Sequence, residues 1–234
     1  MNYLAMAIRF AIVLLVMSVS ISCMNSTSTT ETKGIKYLPL GDSYTISTGS
    51  TDGNSWPELL TKHMVDSGFN FKLLDNPARN GFTCVDLIQK ELPVFFNAKP
   101  DFVTICIGVN DWVQGYDSAT YKTNLKFILD TIQATLPNKN NIVLLTIPDF
   151  SLTKSGALYA NGRDIPAGLQ SFNKIILAEA AARGLKTVDL FSISQDVKND
   201  PWLTSGDNLH PSDKGYAAWE AKIFPVVKGV LSAK

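Results

Sequence analysis

The chain has 234 residues, 45% hydrophobic and 18% charged, with 21 basic and 21 acidic side chains. That mixture suits one globular domain of about 200 residues with a full core and excludes a disordered chain. The even charge balance and the lack of like-charge runs leave no long-range field for a polyanion, so no nucleic-acid partner is expected.

Residues 1–22 read as a secretory signal peptide. Arg9 is the only charged residue before Glu31, an apolar stretch fills positions 10–19, and Ser20 and Ser22 form a small-x-small cleavage site. The run is too short for a membrane span. Two processings fit the same bond. Ordinary signal peptidase accepts Ser20 and Ser22, whereas a lipoprotein signal peptidase leaves Cys23 as a lipidated first residue. The segment resembles a relaxed bacterial lipobox, with Ser20 where leucine is usual. Residues 23–34, rich in Ser and Thr, read as a flexible tether. The protein is therefore expected to be exported, periplasmic or surface-facing, and to touch a membrane only through an acyl anchor at Cys23.

From residue 35 onward, short apolar runs alternate with helical patterns. Strands are expected at 37–40, 71–74, 101–107, 142–147 and 186–190. Helices are expected at 55–67, with Trp56, Leu59, Leu60 and His63 on one stripe, and around 85–92. A third carries Leu125, Ile128, Leu129, Ile132 and Leu136, and a fourth spans 167–183 with Gly184 as its C-terminal cap. The last starts near Ser212 with Tyr216, Trp219, Ile223 and Val226 on one side. Continuous apolar strands mean a sheet covered on both faces, and strict alternation means parallel pairing with crossover helices. The expected fold is a three-layer α/β/α sandwich with about five parallel strands in a single domain, residues 35–234. Ligands of such sheets bind beyond the carboxyl ends of the strands. Cys84 and Cys106 read as small buried hydrophobes; export permits a disulfide, but two cysteines alone do not show pairing.

The chain has two histidines. His63 lies on a helix stripe and reads as a packed boundary residue. His210 sits in the turn-rich segment Ser205-Gly206-Asp207-Asn208-Leu209-His210-Pro211, three residues after Asp207. A carboxylate on one ring nitrogen fixes the tautomer and leaves the other nitrogen as a base. Ser43, in Gly41-Asp42-Ser43-Tyr44 at the end of the first strand, is the candidate nucleophile, although a turn serine is more often a cap. Asn110, in Gly108-Val109-Asn110-Asp111 after the third strand, offers an uncharged amide donor for an oxyanion. Gly81, in the loop after the second strand, has no side chain to keep its N–H from the same oxygen. Trp112, Tyr116 and Trp202, together with Phe150 and Tyr159 in loops, are candidate substrate-binding aromatics that equally suit covering the core.

These blocks, in this order, resemble the GDSL/SGNH hydrolase family. Gly41-Asp42-Ser43-Tyr44 matches its first block with Tyr in place of Leu. Gly81 matches its second, Gly108-Val109-Asn110-Asp111 its third and Asp207-Asn208-Leu209-His210-Pro211 its last. The resemblance implies a flavodoxin-like fold and a Ser43–His210–Asp207 triad. It also implies an oxyanion hole of the Ser43 and Gly81 N–H groups and the Asn110 side chain, with Asp42 and Asp111 as supporting hydrogen-bonders.

The implied reaction is two-step acyl transfer through an acyl-enzyme on small-molecule, glycan or lipid esters, with short acyl or acetyl esters favoured. A lysophospholipase or thioesterase of the same family, or a non-catalytic surface lipoprotein, are the alternatives. No cofactor or metal is expected. Two histidines and no Cys-x-x-Cys leave little for zinc, and no Gly-x-Gly-x-x-Gly or Walker loop follows the first strand. Thr45 stands where a Gly-x-Ser-x-Gly elbow needs glycine, which disfavours the α/β-hydrolase fold.

Overall fold

A computed structural model describes residues 34–233. The expected signal segment 1–22, Cys23 and the expected tether up to Lys33 lie outside the described residues.

Strand β1 (Ile35–Gly41) leads through helix α1 (Ser43–Ile46) and α2 (Trp56–Asp66) to β2 (Phe71–Leu73). Short helix α3 (Cys84–Asp86) runs through a π-turn (Leu87–Glu91) into α4 (Leu92–Ala98), then β3 (Phe102–Cys106). After α5 (Val109–Val113) and α6 (Ser118–Thr135) come β4 (Ile142–Leu145), α7 (Ile165–Arg183), β5 (Lys186–Val188), α8 (Leu190–Ser194) and α9 (Asp213–Ser232).

The five strands are all parallel, in the order β2-β1-β3-β4-β5, with Gly41 opposite Cys106, Ile105 opposite Leu144 and Leu145 opposite Val188. The chain steps outward from β1 to β2, then back across β1 to β3. Right-handed crossovers therefore place α2 on one face and α4, α6 and α7 on the other. The packing agrees: α2 lies against α9, and α6 against α7. This reversal leaves a crevice between the carboxyl ends of β1 and β3. The α/β/α sandwich with a flavodoxin-like strand order is the expected fold.

Local chemistry sets the element ends. Ser55 and Glu58 form a reciprocal capping box on α2, Thr83 and Asp86 another on α3, each worth about 1 kcal/mol. Asp189 accepts the Ser192 N–H at 3.1 Å and starts α8, which is why the fifth strand stops at Val188 rather than 190. The second helical region does not stop at Leu92. Pro93 has no N–H to give, and the helix widens into the π-turn before it and continues to Ala98. In α2 the buried line is Trp56, Leu60 and Met64. His63 lies on its flank instead, stacked on Phe224 at 3.5 Å with Nδ1 3.1 Å from Glu220. On α9, Val227 rather than Val226 is buried with Tyr216, Trp219 and Ile223. Cys84 and Cys106 are both free and buried, so no disulfide joins them.

Candidate active site

The end of β1 is held by close approach. A Cβ on Gly41 would lie 2.0 Å from the Cys106 carbonyl oxygen, and its φ of +152° favours glycine. The next residue, Asp42, caps α1 by accepting the Tyr44 N–H at 3.0 Å. Ser43 is therefore the first residue of a helix that begins directly at the strand end, with its side chain at the crevice.

On the other side, the segment 204–211 closes into a loop. Thr204 bridges Pro211, and the Ser205 N–H donates to the His210 carbonyl at 2.8 Å. Asp207 organises the interior of this loop. Its Oδ1 accepts the Leu209 N–H at 2.8 Å, the His210 N–H at 2.9 Å and the Ser205 hydroxyl at 2.8 Å. Its Oδ2 lies 2.6 Å from His210 Nδ1. Partial burial works to raise this carboxyl, but the hydrogen bonds from the His210 ring, Leu209, Ser205 and the His210 N–H outweigh it and hold it down at about 2. An ionised Asp207 can only accept, so Nδ1 carries the proton and Nε2 is the free lone pair. Nε2 lies 2.9 Å from the Ser43 hydroxyl. The Tyr44 ring meets the imidazole edge-on at 5.5 Å and supports it from the core side.

Ser43, His210, Asn110 and Gly81 line one cavity of about 280 Å³, walled by Phe150 and Tyr159 among others. Asn110 donates one amide hydrogen to the Phe82 carbonyl at 2.9 Å, which orients the group and leaves its second N–H unspent. Asp111, the next residue, turns into the core and accepts the Cys84 N–H with both oxygens, at 3.2 and 3.0 Å. Burial raises the Asp111 carboxyl. Burial, with Asp111 adding to it, lifts Asp42 to about 8. Neither carboxyl touches the imidazole; both brace backbone under the site.

Of the five aromatic candidates, Phe150 and Tyr159 line this cavity, and Trp112, Tyr116 and Trp202 do not. Trp112 is a core residue, 5% exposed, with the Arg163 guanidinium 4.1 Å over its ring. Arg163 also donates to the Trp112 and Val113 carbonyls at 2.6 and 2.9 Å. Tyr116 stands outside the cavity wall. Trp202 is 80% exposed and lines a separate surface groove beside the Asp207 loop, with Leu152 and Lys198. Asp149, beyond the carboxyl end of β4, donates its N–H to the Ser194 hydroxyl at 2.7 Å and accepts from the Gln195 amide at 3.1 Å. The sequence reading passed over Ser205, Tyr44 and the Phe82 carbonyl. Of these only Ser205 left a signal: Asp207 followed by Asn208 is a side-chain turn motif that invites a nearby hydroxyl. Among the described residues no group of three or more His, Cys, Asp or Glu is placed to hold a metal ion.

A hydroxyl bonded to an imidazole that a carboxylate holds from behind, at the switch point of a parallel sheet, is the arrangement of a serine hydrolase. The sequence model of the GDSL-like lipase/acylhydrolase family matches residues 40–218, and the chain belongs to that family. It is similar to the esterase TesA of Pseudomonas aeruginosa, 22% identical over 197 residues, which are 83% of this chain and 88% of that one. Among solved structures it is similar to a lipase/acylhydrolase from Enterococcus faecalis, 23% identical with a TM-score of 0.68 over 83% of this chain and 96% of that one. It is also similar to Axe2, an acetylxylan esterase from Geobacillus stearothermophilus, 19% identical with a TM-score of 0.66 over 83% and 94%. The protein is a carboxylic ester hydrolase of the GDSL type.

Proposed function

We propose that the protein hydrolyses short acyl or acetyl esters through an acyl-enzyme on Ser43. The observation that carries this reading is the unbroken chain from Ser43 Oγ to His210 Nε2 at 2.9 Å and from His210 Nδ1 to Asp207 at 2.6 Å. His210 takes the Ser43 proton as the hydroxyl attacks the ester carbonyl. The developing oxyanion is met by the second Asn110 N–H and by the Ser43 and Gly81 backbone N–H groups. His210 then gives its proton to the leaving alcohol, and a water activated by the same imidazole releases the acid and frees Ser43.

The short-acyl preference rests on the cavity. Its 280 Å³ and its side walls of Val109, Val113 and Leu209 suit a small acyl group, whereas a long chain has to leave across the surface. The alcohol side is proposed to be a glycan hydroxyl or another small alcohol. Trp202, exposed in the neighbouring groove, is the most open of the aromatic candidates and can stack on a sugar ring. The acetylxylan ester cleaved by Axe2 is in keeping with this. Export by residues 1–22, with lipidation at Cys23, completes the reading. It is tested by the mass of the mature N-terminus, where an unmodified Cys23 excludes the anchor.

A fluorophosphonate probe tests the mechanism. Covalent labelling is expected on Ser43 in the intact protein and absent from Ser43→Ala. Labelling elsewhere, or unchanged p-nitrophenyl acetate turnover in Ser43→Ala, removes Ser43 as the nucleophile.

A further inference from the structure

Strand β1 is longer than the neighbour it pairs with on its outer side. The Ile35 N–H donates to the Asn70 carbonyl at 2.7 Å, so residues 35, 37, 39 and 41 turn their backbone groups toward β2. The last contact with that neighbour is Leu74 N–H to the Tyr37 carbonyl at 2.9 Å. Beyond it, two positions face a missing strand. Pro39 has no N–H to offer. Gly41 has one, and it donates to Glu91 Oε2 at 2.9 Å.

Glu91 ends the π-turn Leu87–Glu91 and is 0% exposed. Its Oε1 has no hydrogen-bond partner among the described residues, so Gly41 is the only donor its carboxyl meets there. Burial pushes the Glu91 acid well up, and Oε2 accepts the Gly41 N–H whether the carboxyl is protonated or not. On the opposite edge Gly41 is fixed by pairing with Cys106. Ser43 lies two residues further on.

We infer that Glu91 is a positioning residue for the nucleophile: by standing in for the absent strand at Gly41, it fixes where α1 starts, and with it the Ser43 hydroxyl and N–H. It touches no substrate. Its loss therefore acts on the chemical step and not on binding. The inference rests on Ser43 being the nucleophile.

The test compares Glu91→Gln, which keeps an acceptor of the same length, with Glu91→Leu, which removes it. The readouts are kcat and KM for p-nitrophenyl acetate per folded molecule, and Tm. The expected result is a kcat loss of about tenfold or more in Glu91→Leu with KM within about twofold, and near wild-type kcat in Glu91→Gln. Unchanged kcat in Glu91→Leu alongside a lowered Tm makes the role merely structural and overturns the inference. So does a Gln variant as slow as the Leu variant. If Glu91→Leu does not fold, Glu91→Asp replaces it, since it draws the carboxyl back by one methylene. Loss of kcat in Asp but not in Gln supports the inference, and two wild-type values overturn it. Wild-type turnover and its loss in Ser43→Ala are measured in the same assay. If these fail, the nucleophile assignment falls and takes the inference with it; if they hold while the Glu91 series is flat, only the inference falls.

Discussion

His210 Nε2 and the Ser43 hydroxyl meet at 2.9 Å although 167 positions separate them in the chain. What makes the contact reproducible is the Asp207 carboxylate, which binds both the ring and the backbone of its own loop. Asp207→Asn keeps that shape but turns an amide donor toward Nδ1, which forces the proton onto Nε2. The expected cost is roughly 10³–10⁴ in kcat with little change in fold, read by steady-state kinetics and circular dichroism. A loss under tenfold makes Asp207 a loop brace only. Its carboxyl sits below the ordinary value, so its stabilising effect is present above about pH 4 and is lost as pH falls toward 2. An activity limb between pH 5 and 8 therefore does not belong to Asp207.

Asn110→Ala removes the oriented amide and leaves the Phe82 carbonyl to water. The expected effect is a fall of about 10²–10³ in kcat with KM little changed, since the donor matters most when charge develops. A kcat within tenfold of wild type reduces Asn110 to a turn residue.

Asp42 is held at about 8, far above an ordinary carboxyl. Between about pH 4 and pH 8 the unfolded chain releases this proton and the native state keeps it, so stability drains away as pH rises through that window. Asp42→Asn retains the cap acceptor for Tyr44 and has no proton to lose. Its Tm relative to wild type is expected to climb by a few degrees from pH 4 to pH 8 in thermal melts. Parallel melting curves across that range contradict the assignment. The raised Asp111 and Glu91 remain in the variant, so part of the slope persists.

The cavity predicts a chain-length profile. For p-nitrophenyl esters, kcat/KM is expected to fall by about tenfold or more from acetate to octanoate. A flat or rising series, with turnover of lysophosphatidylcholine, favours the lysophospholipase reading.

The sheet was legible because alternating apolar runs and capped helices leave few topologies. The contact of Ser43, His210 and Asp207 was legible because only two histidines compete for it. Side-chain direction was harder to read. Trp112 directly follows Asn110-Asp111, yet on α5 two residues mean about 200° of rotation, so when Asn110 faces the cavity Trp112 faces the core. Val109 and Val113, one and three positions from Asn110, share its side. His63 is the packed, hydrogen-bonded boundary residue expected, though it lies beside the inner line of α2, which runs every fourth residue through Trp56, Leu60 and Met64. The burial of Glu91 left no signal, because a π-turn shifts the helix phase with no mark in the sequence beyond Pro93. Phe150 lies in a loop and Tyr159 ends the short 3-10 turn Gly156–Tyr159 that follows, a segment tied to the histidine loop by the Ser155 N–H on the Asn208 carbonyl at 3.0 Å.

The placement of the tryptophans gives this molecule a built-in optical probe. Trp56, Trp112 and Trp219 are 1%, 5% and 3% exposed, while Trp202 is 80% exposed. A water-soluble quencher therefore reaches one indole and spares three. Protection of that emission on adding an oligosaccharide reports occupancy of the groove without any turnover.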